Sequence, residues 1–232
     1  MPTIVFASPK GGAGKTTAAL VLANQLARSA PVALVDADPN QPLKGWAKGA
    51  SIPNVTVVSD VDEDNIIDRI EEAASKVPFV IVDLEGTAAK IVLLAISQAD
   101  LVLIPTQGSQ LDAEQASRAL RVIRQQEKMT GRAVPYSVLM TRTNVSVRTR
   151  TTMHIKQSLE TAGIPVLQTE LHEREAFRSM FSFRQPLHQL SSSDVNNLDK
   201  AVANAEAFGA EVVNLLRAKR ASADAPSEGA LA

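Results

Sequence analysis

Short apolar runs, many of them β-branched, alternate along the chain with longer segments whose apolar positions recur at helical spacing. Uninterrupted apolar runs are typical of strands buried on both faces of a parallel sheet, and the segments between them would supply the covering helices. The pattern therefore predicts strands at 3–6, 31–35, 55–58, 79–82, 101–104, 136–140 and 164–167, and helices at 16–28, 64–74, 88–98, 112–129, 150–162, 174–183 and 194–220.

The alternation of strands and helices runs without a linker or an internal repeat. It predicts one α/β domain over residues 1–220, with a mostly parallel twisted sheet and helices on both faces. Asp112 is the expected N-cap of the fourth predicted helix, and Gly131 its stop. The small and polar residues 221–232 are expected to form a disordered tail.

The amino-acid composition excludes several classes of protein. Hydrophobic residues make up 45% of the 232 positions, enough for a core, but aromatic residues only 3%. The 24 basic and 25 acidic residues leave no global basic field, so any nucleic-acid contact must come from a local patch. No cysteine, signal peptide or long apolar span is present, and we expect a cytoplasmic protein without membrane contact.

A glycine-rich loop follows the first predicted strand. Backbone N–H groups in such a loop can converge on phosphate oxygens, and the helix that follows adds its positive dipole end. Lys15 is placed to reach the β- and γ-phosphates, and the Thr16 hydroxyl to bind Mg²⁺. A glycine-rich turn without chemical function is the alternative. The predicted nucleotide-binding residues here are Lys10, Gly11, Gly12, Ala13, Gly14, Lys15, Thr16 and Thr17, within a single-domain P-loop NTPase.

Carboxylates follow two other predicted strands. Asp36 and Asp38 end the second strand, and Asp83 ends the fourth after four apolar residues. Ligands of parallel sheets lie beyond the carboxyl ends of the strands, which places all three carboxylates at the edge that carries the glycine loop. The Asp36/Asp38 pair has a structural alternative, because such residues also cap turns through Asx-type hydrogen bonds.

The loop departs from the common phosphate-loop motif. Pro9 stands where that motif requires glycine, and Lys10 adds a lysine ahead of the glycines. With Asp36-Ala-Asp38-Pro39-Asn40 and Phe79-Val-Ile-Val-Asp83, this variant resembles the ParA/MinD superfamily of deviant Walker-A ATPases over nearly the whole chain. It is most similar to the small ParA-type plasmid partition ATPases that lack an N-terminal DNA-binding domain.

The resemblance implies roles for these residues. Lys10 would cross a dimer interface to the nucleotide of the other subunit, where its charge stabilises the transition state. Lys10, Lys15 and Asp38 would form the catalytic set, with Asp38 helping to activate the attacking water. Thr16, Asp36 and Asp83 would serve the Mg²⁺ ion. Gly86 would give a switch loop the conformational freedom to sense the γ-phosphate. Glu85 is interpreted as a solvated acidic residue of that loop.

Two segments differ from the family pattern. Thr141-Arg142 stands where many relatives have Asn-Arg, so Thr141 and Arg142 are nucleotide-binding candidates and the choice of ATP rests on the resemblance. The loop 105–112 is similar to one that lies at the family's dimer interface, but Gly108 replaces a proline. We expect that loop to be more mobile here.

Basic residues cluster twice in the C-terminal half. Arg142 is followed by Arg148, Arg150 and Lys156, and a second group contains Arg174, Arg178 and Arg184. Their spacing alone equally favours a solvated basic face. The resemblance favours DNA, bound non-specifically by an ATP-dependent homodimer at the nucleoid. Few aromatic residues are available for stacking, so such binding would use phosphates and depend steeply on salt.

The leading hypothesis is an ATPase that hydrolyses ATP slowly until a centromere-binding or cargo adaptor protein stimulates it, thereby segregating a plasmid or another cargo. One alternative is a metabolic P-loop enzyme of related fold, similar to dethiobiotin synthetase. Another is an ATP-gated DNA-binding scaffold with little turnover. The sequence leaves the cargo and the adaptor open.

Overall fold

The computed structural model describes residues 1–50, 52–85, 89–145 and 150–224. The strands are β1 (Thr3–Phe6), β2 (Val32–Ala37), β3 (Val55–Val58), β4 (Phe79–Leu84), β5 (Leu101–Thr106), β6 (Tyr136–Thr143) and β7 (Leu171–His172). The helices are α1 (Lys15–Leu26), α2 (Pro42–Ala47), α3 (Ile66–Lys76), α4 (Ala89–Ser97), α5 (Gln110–Thr130), α6 (Arg150–Thr161), α7 (Glu175–Ser182) and α8 (Leu198–Asp224), with a 3₁₀ turn at Leu187–Gln189.

The seven strands form one sheet in the order β3-β2-β4-β1-β5-β6-β7. Every strand pair in the described part of the chain is parallel. Because β1 lies in the middle of the sheet, between β4 and β5, the loop that follows it is surrounded by the carboxyl ends of neighbouring strands. The predicted α/β fold is confirmed.

Alternate residues of each strand enter cores on opposite faces. On β1, Ile4 and Phe6 join one core, which also contains residues from α1, α2, α7 and α8. Val5 joins the other core, which is covered by α3, α4, α5 and α6. Burial on both faces explains why the strands are continuously apolar.

Three elements differ from the sequence prediction. Residues 164–167 form no strand of their own, since Val166 makes only an isolated bridge to Val138, and β7 follows at Leu171. Helix α2 was not predicted; it is short and contains Pro42 and Gly45. The N-cap of α5 is Ser109 rather than Asp112, although Gly131 ends the helix in a left-handed conformation as expected.

The C-terminal helix α8 extends to Asp224, four residues into the segment predicted as a tail. The remainder of that segment lies outside the described residues, as do Gly86 and Arg148. None of the helices, in the ranges described, combines the length and the apolar character that a membrane crossing needs.

Candidate nucleotide-binding site

The glycine loop connects β1 to α1 and turns through two left-handed residues. Gly12 has φ +76° and Gly14 has φ +92°, values that strain any residue with a side chain. Gly14 is the N-cap residue of α1, so the first helical N–H groups lie at the end of the loop. This is the backbone arrangement that binds anions at a helix N-terminus.

Lys15 is the first residue of α1 and is only 7% exposed. Its ammonium donates a hydrogen bond to the Lys10 carbonyl at 3.1 Å, which ties the loop to the helix start. Burial lowers the pKa of Lys15, while the charges of Asp83, Asp38 and Glu85 act in the opposite direction. A buried cation facing three acids is arranged to bind polyphosphate.

Asp36 and Asp83 are register partners on adjacent strands β2 and β4, and both are buried. Burial raises the pKa of Asp83 to about 7, with Asp36 adding to the increase and the nearby Thr16 hydroxyl opposing it. Neither carboxyl oxygen of Asp83 accepts a well-formed hydrogen bond, nor does Oδ1 of Asp36. Unpaired buried oxygens of this kind need a partner, and oxygen donors suit Mg²⁺.

Asp36 and Asp83 alone would not supply enough ligands for a metal ion. Within the residues described, no group of three or more His, Cys, Asp or Glu side chains is placed to bind a metal ion. Mg²⁺ usually keeps several waters and is shared between one or two carboxylates and substrate phosphates. Thr16, Asp36 and Asp83 fit that pattern beside the phosphate loop.

Asp36 and Asp38 also accept hydrogen bonds from backbone N–H groups. Such capping was the structural alternative to a catalytic role for this pair. Oδ2 of Asp36 accepts from the backbone N–H groups of Leu43 and Lys44 at 2.9 and 2.8 Å, capping α2. Oδ1 of Asp38 accepts from the backbone of Asn40 at 2.8 Å. One oxygen of Asp36 remains unpaired, so capping and metal binding are compatible.

Residues from two other strand ends hold the phosphate loop in place. Thr141 is buried and donates from Oγ1 to the Ala13 carbonyl at 2.7 Å. The Gly12 carbonyl accepts from Gln107 at 2.7 Å and from Arg142 at 3.4 Å. Arg142 has φ +53° at an irregularity of the β6–β7 pairing, which turns it outward between buried Thr141 and Thr143.

A cavity of about 470 Å³ opens beside the phosphate loop, a volume suited to a small-molecule ligand. It is lined by nine of the residues predicted from sequence: Gly11, Gly12, Gly14, Lys15, Thr16, Thr17, Asp38, Thr141 and Arg142. Ala13 is buried against Thr141, whereas Asp36 and Asp83 lie buried next to Thr16 and Lys15.

The opposite wall of the cavity was not predicted as part of this site. It is built by β7 and the segment after it, which together supply Leu171, His172, Glu173, Arg174, Phe177 and Arg178, and Glu85 also lines the cavity. Arg174 and Arg178 were predicted to bind DNA, and Glu85 was interpreted as solvated. The sequence of this segment contains no recognised motif. Its position beside the cavity depends on how β7 pairs with β6, which the sequence pattern did not predict.

Glu173 and Arg174 differ in their contacts at this wall. The Glu173 carboxylate is paired with Arg178 at 2.6 Å and with Arg142 at 3.4 Å. Arg174 is half-buried, and its Nε is buried without a hydrogen-bond partner. An unpaired guanidinium nitrogen beside the phosphate loop is a candidate ligand for the nucleotide.

Lys10 does not line the cavity. Its ammonium is 2.7 Å from Oδ1 of Asp112, which is 3% exposed, whereas the Lys10 side chain is 38% exposed. Ser109 donates to the other Asp112 oxygen and accepts from its backbone N–H, so the acid that holds Lys10 is fixed at the start of α5. Asp112 was predicted only as a helix cap.

The loop that carries Ser109 is closely packed at the glycine where mobility was expected. A Cβ added to Gly108 would lie 2.2 Å from Oγ1 of Thr152. Glycine is therefore favoured here because the Thr152 side chain of α6 approaches closely, and the mobility expected of this loop stays a prediction.

The described residues of the predicted DNA-binding set have different surroundings. Arg178 is paired with Glu173, and Lys156 lies 4.0 Å from Glu170 and is mostly buried. Arg184 covers Gly49 on another part of the surface, and Arg150 begins α6 in an exposed position. The DNA-binding set stays a prediction.

Comparison with known proteins identifies the family. A family model described as VirC1 protein matches residues 1–215. A protein named ParA from Rhizobium radiobacter is 40% identical over 218 residues, covering 93% of this chain and 98% of that protein. Protein virC1 from Rhizobium rhizogenes is 34% identical, covering 78% of this chain and 80% of its own length.

Solved structures share the fold at lower sequence identity. A McdA variant from Cyanothece in complex with ATP superposes with a TM-score of 0.74, at 19% identity, covering 92% of this chain and 96% of that one. The fold, the deviant phosphate loop and these relatives agree with one another. The chain belongs to the VirC1 protein family of ParA/MinD-type P-loop ATPases.

Proposed function

We propose that this protein is a positioning ATPase whose Mg²⁺-ATP site is completed by a second copy of the same chain. The observation that carries the proposal is the position of Lys10. Its ammonium is bound to Asp112 and lies outside the cavity that Lys15 lines, although the two lysines are only five positions apart. A partly exposed lysine beside a phosphate site, yet turned away from it, is available to a facing subunit.

Within one chain, each polar group has a distinct task. Lys15, Thr16 and the loop N–H groups bind the phosphates, and Thr16, Asp36 and Asp83 would hold Mg²⁺, which screens phosphate charge when bound. Asp38 lines the cavity and orients the attacking water toward the terminal phosphate, giving ADP and phosphate. The incoming Lys10 stabilises the charge of the transition state.

Arg174 belongs to this site in our proposal, rather than to a DNA surface. Its buried and unpaired Nε lies in the cavity wall that faces the phosphate loop. Nucleotide binding would give that nitrogen an acceptor. Arg174→Gln should therefore weaken ADP and ATP binding, while Arg184→Gln, as a matched control outside the cavity, should leave nucleotide affinity unchanged.

The cycle follows from a site shared between chains. ATP closes the dimer, the dimer binds DNA non-specifically at the nucleoid, and an adaptor protein stimulates hydrolysis and release. The relatives named ParA and virC1 support a ParA-type ATPase, and both the segregation of a plasmid or another cargo and a cytoplasmic location are part of the proposal. Slow turnover in the absence of the adaptor is expected, because a switch must persist in its ATP state.

Light scattering, nucleotide binding and phosphate release test the proposal together. The parent should be monomeric without nucleotide and dimeric with Mg²⁺-ATP. Lys15→Ala should lose nucleotide binding, whereas Lys10→Ala should keep it and lose hydrolysis. Normal hydrolysis by Lys10→Ala, or a parent that stays monomeric with ATP, would contradict the shared site.

A further inference from the structure

The outer face of α5 carries four exposed cationic side chains in a row: Arg118, Arg121, Arg124 and Lys128, here named the α5 basic stripe. Successive members are three or four positions apart, which places them on one side of the helix. Ala116 and Ile123 are buried on the other side, against the sheet. The stripe therefore faces away from the core.

Within the described ranges, no member of the stripe takes part in an ion pair. Two acids of α5 lie near the stripe. Glu127 uses its Oε1 to accept the backbone N–H of Val134 at 2.9 Å, and exposed Glu114, four positions before Arg118, takes part in no ion pair among the described residues. Of the flanking helices, α4 contains no acidic residue and α6 contains Glu160 alone. Glu114 is thus the one acid on this face set against four cations, and the stripe keeps a net positive charge.

Helix α3 shows how a solvated charged face is arranged in the same protein. There Glu72 lies between Arg69 and Lys76 and contacts them at 3.5 and 2.6 Å. Alternating charges at these spacings stabilise a helix, and like charges destabilise it. The α5 stripe has the unfavourable arrangement, which an anionic partner would relieve.

We infer that the α5 basic stripe is the surface that binds the phosphates of duplex DNA. This inference rests on the proposed function, and it names the surface through which the proposed ATPase contacts DNA. From Arg118 to Lys128 the helix rises about 15 Å, a length over which a duplex presents about nine phosphate charges. Three of the four cations are arginines, whose planar guanidinium groups match phosphate oxygens in pairs.

The chemistry of the stripe distinguishes DNA from other anionic partners. No aromatic residue lies on α5, so bases are not stacked and binding is independent of sequence. The exposed large apolar side chains of α5, Leu111 and Met129, lie near its two ends and not between the cations, whereas insertion into a membrane would need an apolar face. Arg178 and Lys156, from the predicted DNA-binding set, already have acidic partners, which leaves the stripe as the more available surface.

Helix α5 also connects the stripe to the nucleotide site. Asp112 in its first turn holds Lys10, so movement of Lys10 to a second subunit changes the contacts at the start of the same helix. A closed dimer would present two stripes to one duplex. Linked sites bind far more tightly than one alone, which makes DNA binding dependent on ATP.

The test measures binding of a labelled random-sequence duplex to the full chain by anisotropy, with Mg²⁺ and ATP or ADP, at about 50 and about 200 mM salt. The stripe variant replaces Arg118, Arg121, Arg124 and Lys128 with Gln. A control variant replaces four exposed cations elsewhere with Gln and loses the same charge: Arg69, Lys76, Lys90 and Lys200. Nucleotide affinity and thermal stability are measured for all three proteins.

The stripe variant should lose at least about tenfold in DNA affinity, and its salt slope should fall by up to about 3–4, whereas the control should resemble the parent. DNA binding by the stripe variant at parental strength would overturn the inference and leave the proposed function intact. Failure of the parent itself to bind DNA with ATP would overturn both. If the stripe variant still binds DNA but has lost affinity for poly-glutamate, the stripe binds an acidic protein instead of DNA.

Discussion

At the scale of single residues, the site combines groups that motifs identify with groups that only the fold brings in. The phosphate loop and the three strand-end carboxylates could be predicted, because a parallel sheet fixes where such residues meet. Arg174 and Gln107 could not, since their positions depend on the β6–β7 pairing and on a loop conformation. Asp112 was visible in the sequence, but its partner Lys10 is 102 positions away.

Asp83 makes the stability of the nucleotide-free protein depend on pH. Burial raises its pKa to about 7, so between about pH 4 and 7 the folded chain keeps a proton that the unfolded chain has lost. The free energy of unfolding should therefore fall as pH rises through that window. Asp83→Asn stays neutral and should be more stable than the parent by roughly 2–4 kcal/mol at pH 8, but not at pH 4.

Urea unfolding in EDTA without nucleotide measures this difference. Glu71→Gln, which removes an exposed acid, serves as the control and should follow the parent at both pH values. Adding Mg²⁺-ATP should stabilise the parent more than Asp83→Asn. Equal pH dependence of the parent and Asp83→Asn would show that Asp83 titrates normally.

Thr141 should act through the phosphate loop rather than through the base. Thr141→Val keeps the shape of the side chain but leaves the Ala13 carbonyl without its donor at 2.7 Å. The loss should weaken ADP binding by about 1 kcal/mol, roughly fivefold in Kd by calorimetry. Thr141→Ser keeps the hydroxyl and should bind as the parent does; equal affinities for all three would exclude this role.

At the scale of elements, long periodic helices and buried strands were predictable, and short elements were not. Helix α2 has six residues and a glycine, and depends on Asp36 accepting two of its first N–H groups. Residues 164–167 have the composition of a strand but make one bridge only. Both outcomes were decided by tertiary contacts, which override local propensity.

The start of α5 carries Ser109 and Asp112, the residues that hold Lys10 in place. Ser109 caps the helix and bonds to Asp112, so Ser109→Ala should cost about 1 kcal/mol of unfolding free energy. Ser75→Ala is the matched control, because its hydroxyl bonds to Glu72 within α3 and caps nothing. Urea denaturation of both variants measures the difference; equal stabilities would mean that the cap contributes nothing.

At the scale of the whole molecule, the described part of one chain holds the phosphate loop, the carboxylates and Arg174 around one cavity, but Lys10 lies outside it. Lys15 is held at the loop, and Lys10 is held by Asp112. Two chains facing each other would exchange their Lys10 side chains. In the proposed mechanism, each active site therefore needs two chains.

Mixing two inactive variants tests that claim most directly. Lys10→Ala keeps its own Asp38, and Asp38→Ala keeps Lys10, so a mixed dimer contains one complete site. Phosphate release should be negligible for each variant alone and should recover in an equimolar mixture to about one quarter of the parental rate per chain, if pairing is random. A mixture as inactive as its components would show that Lys10 acts within its own chain and would contradict the shared site.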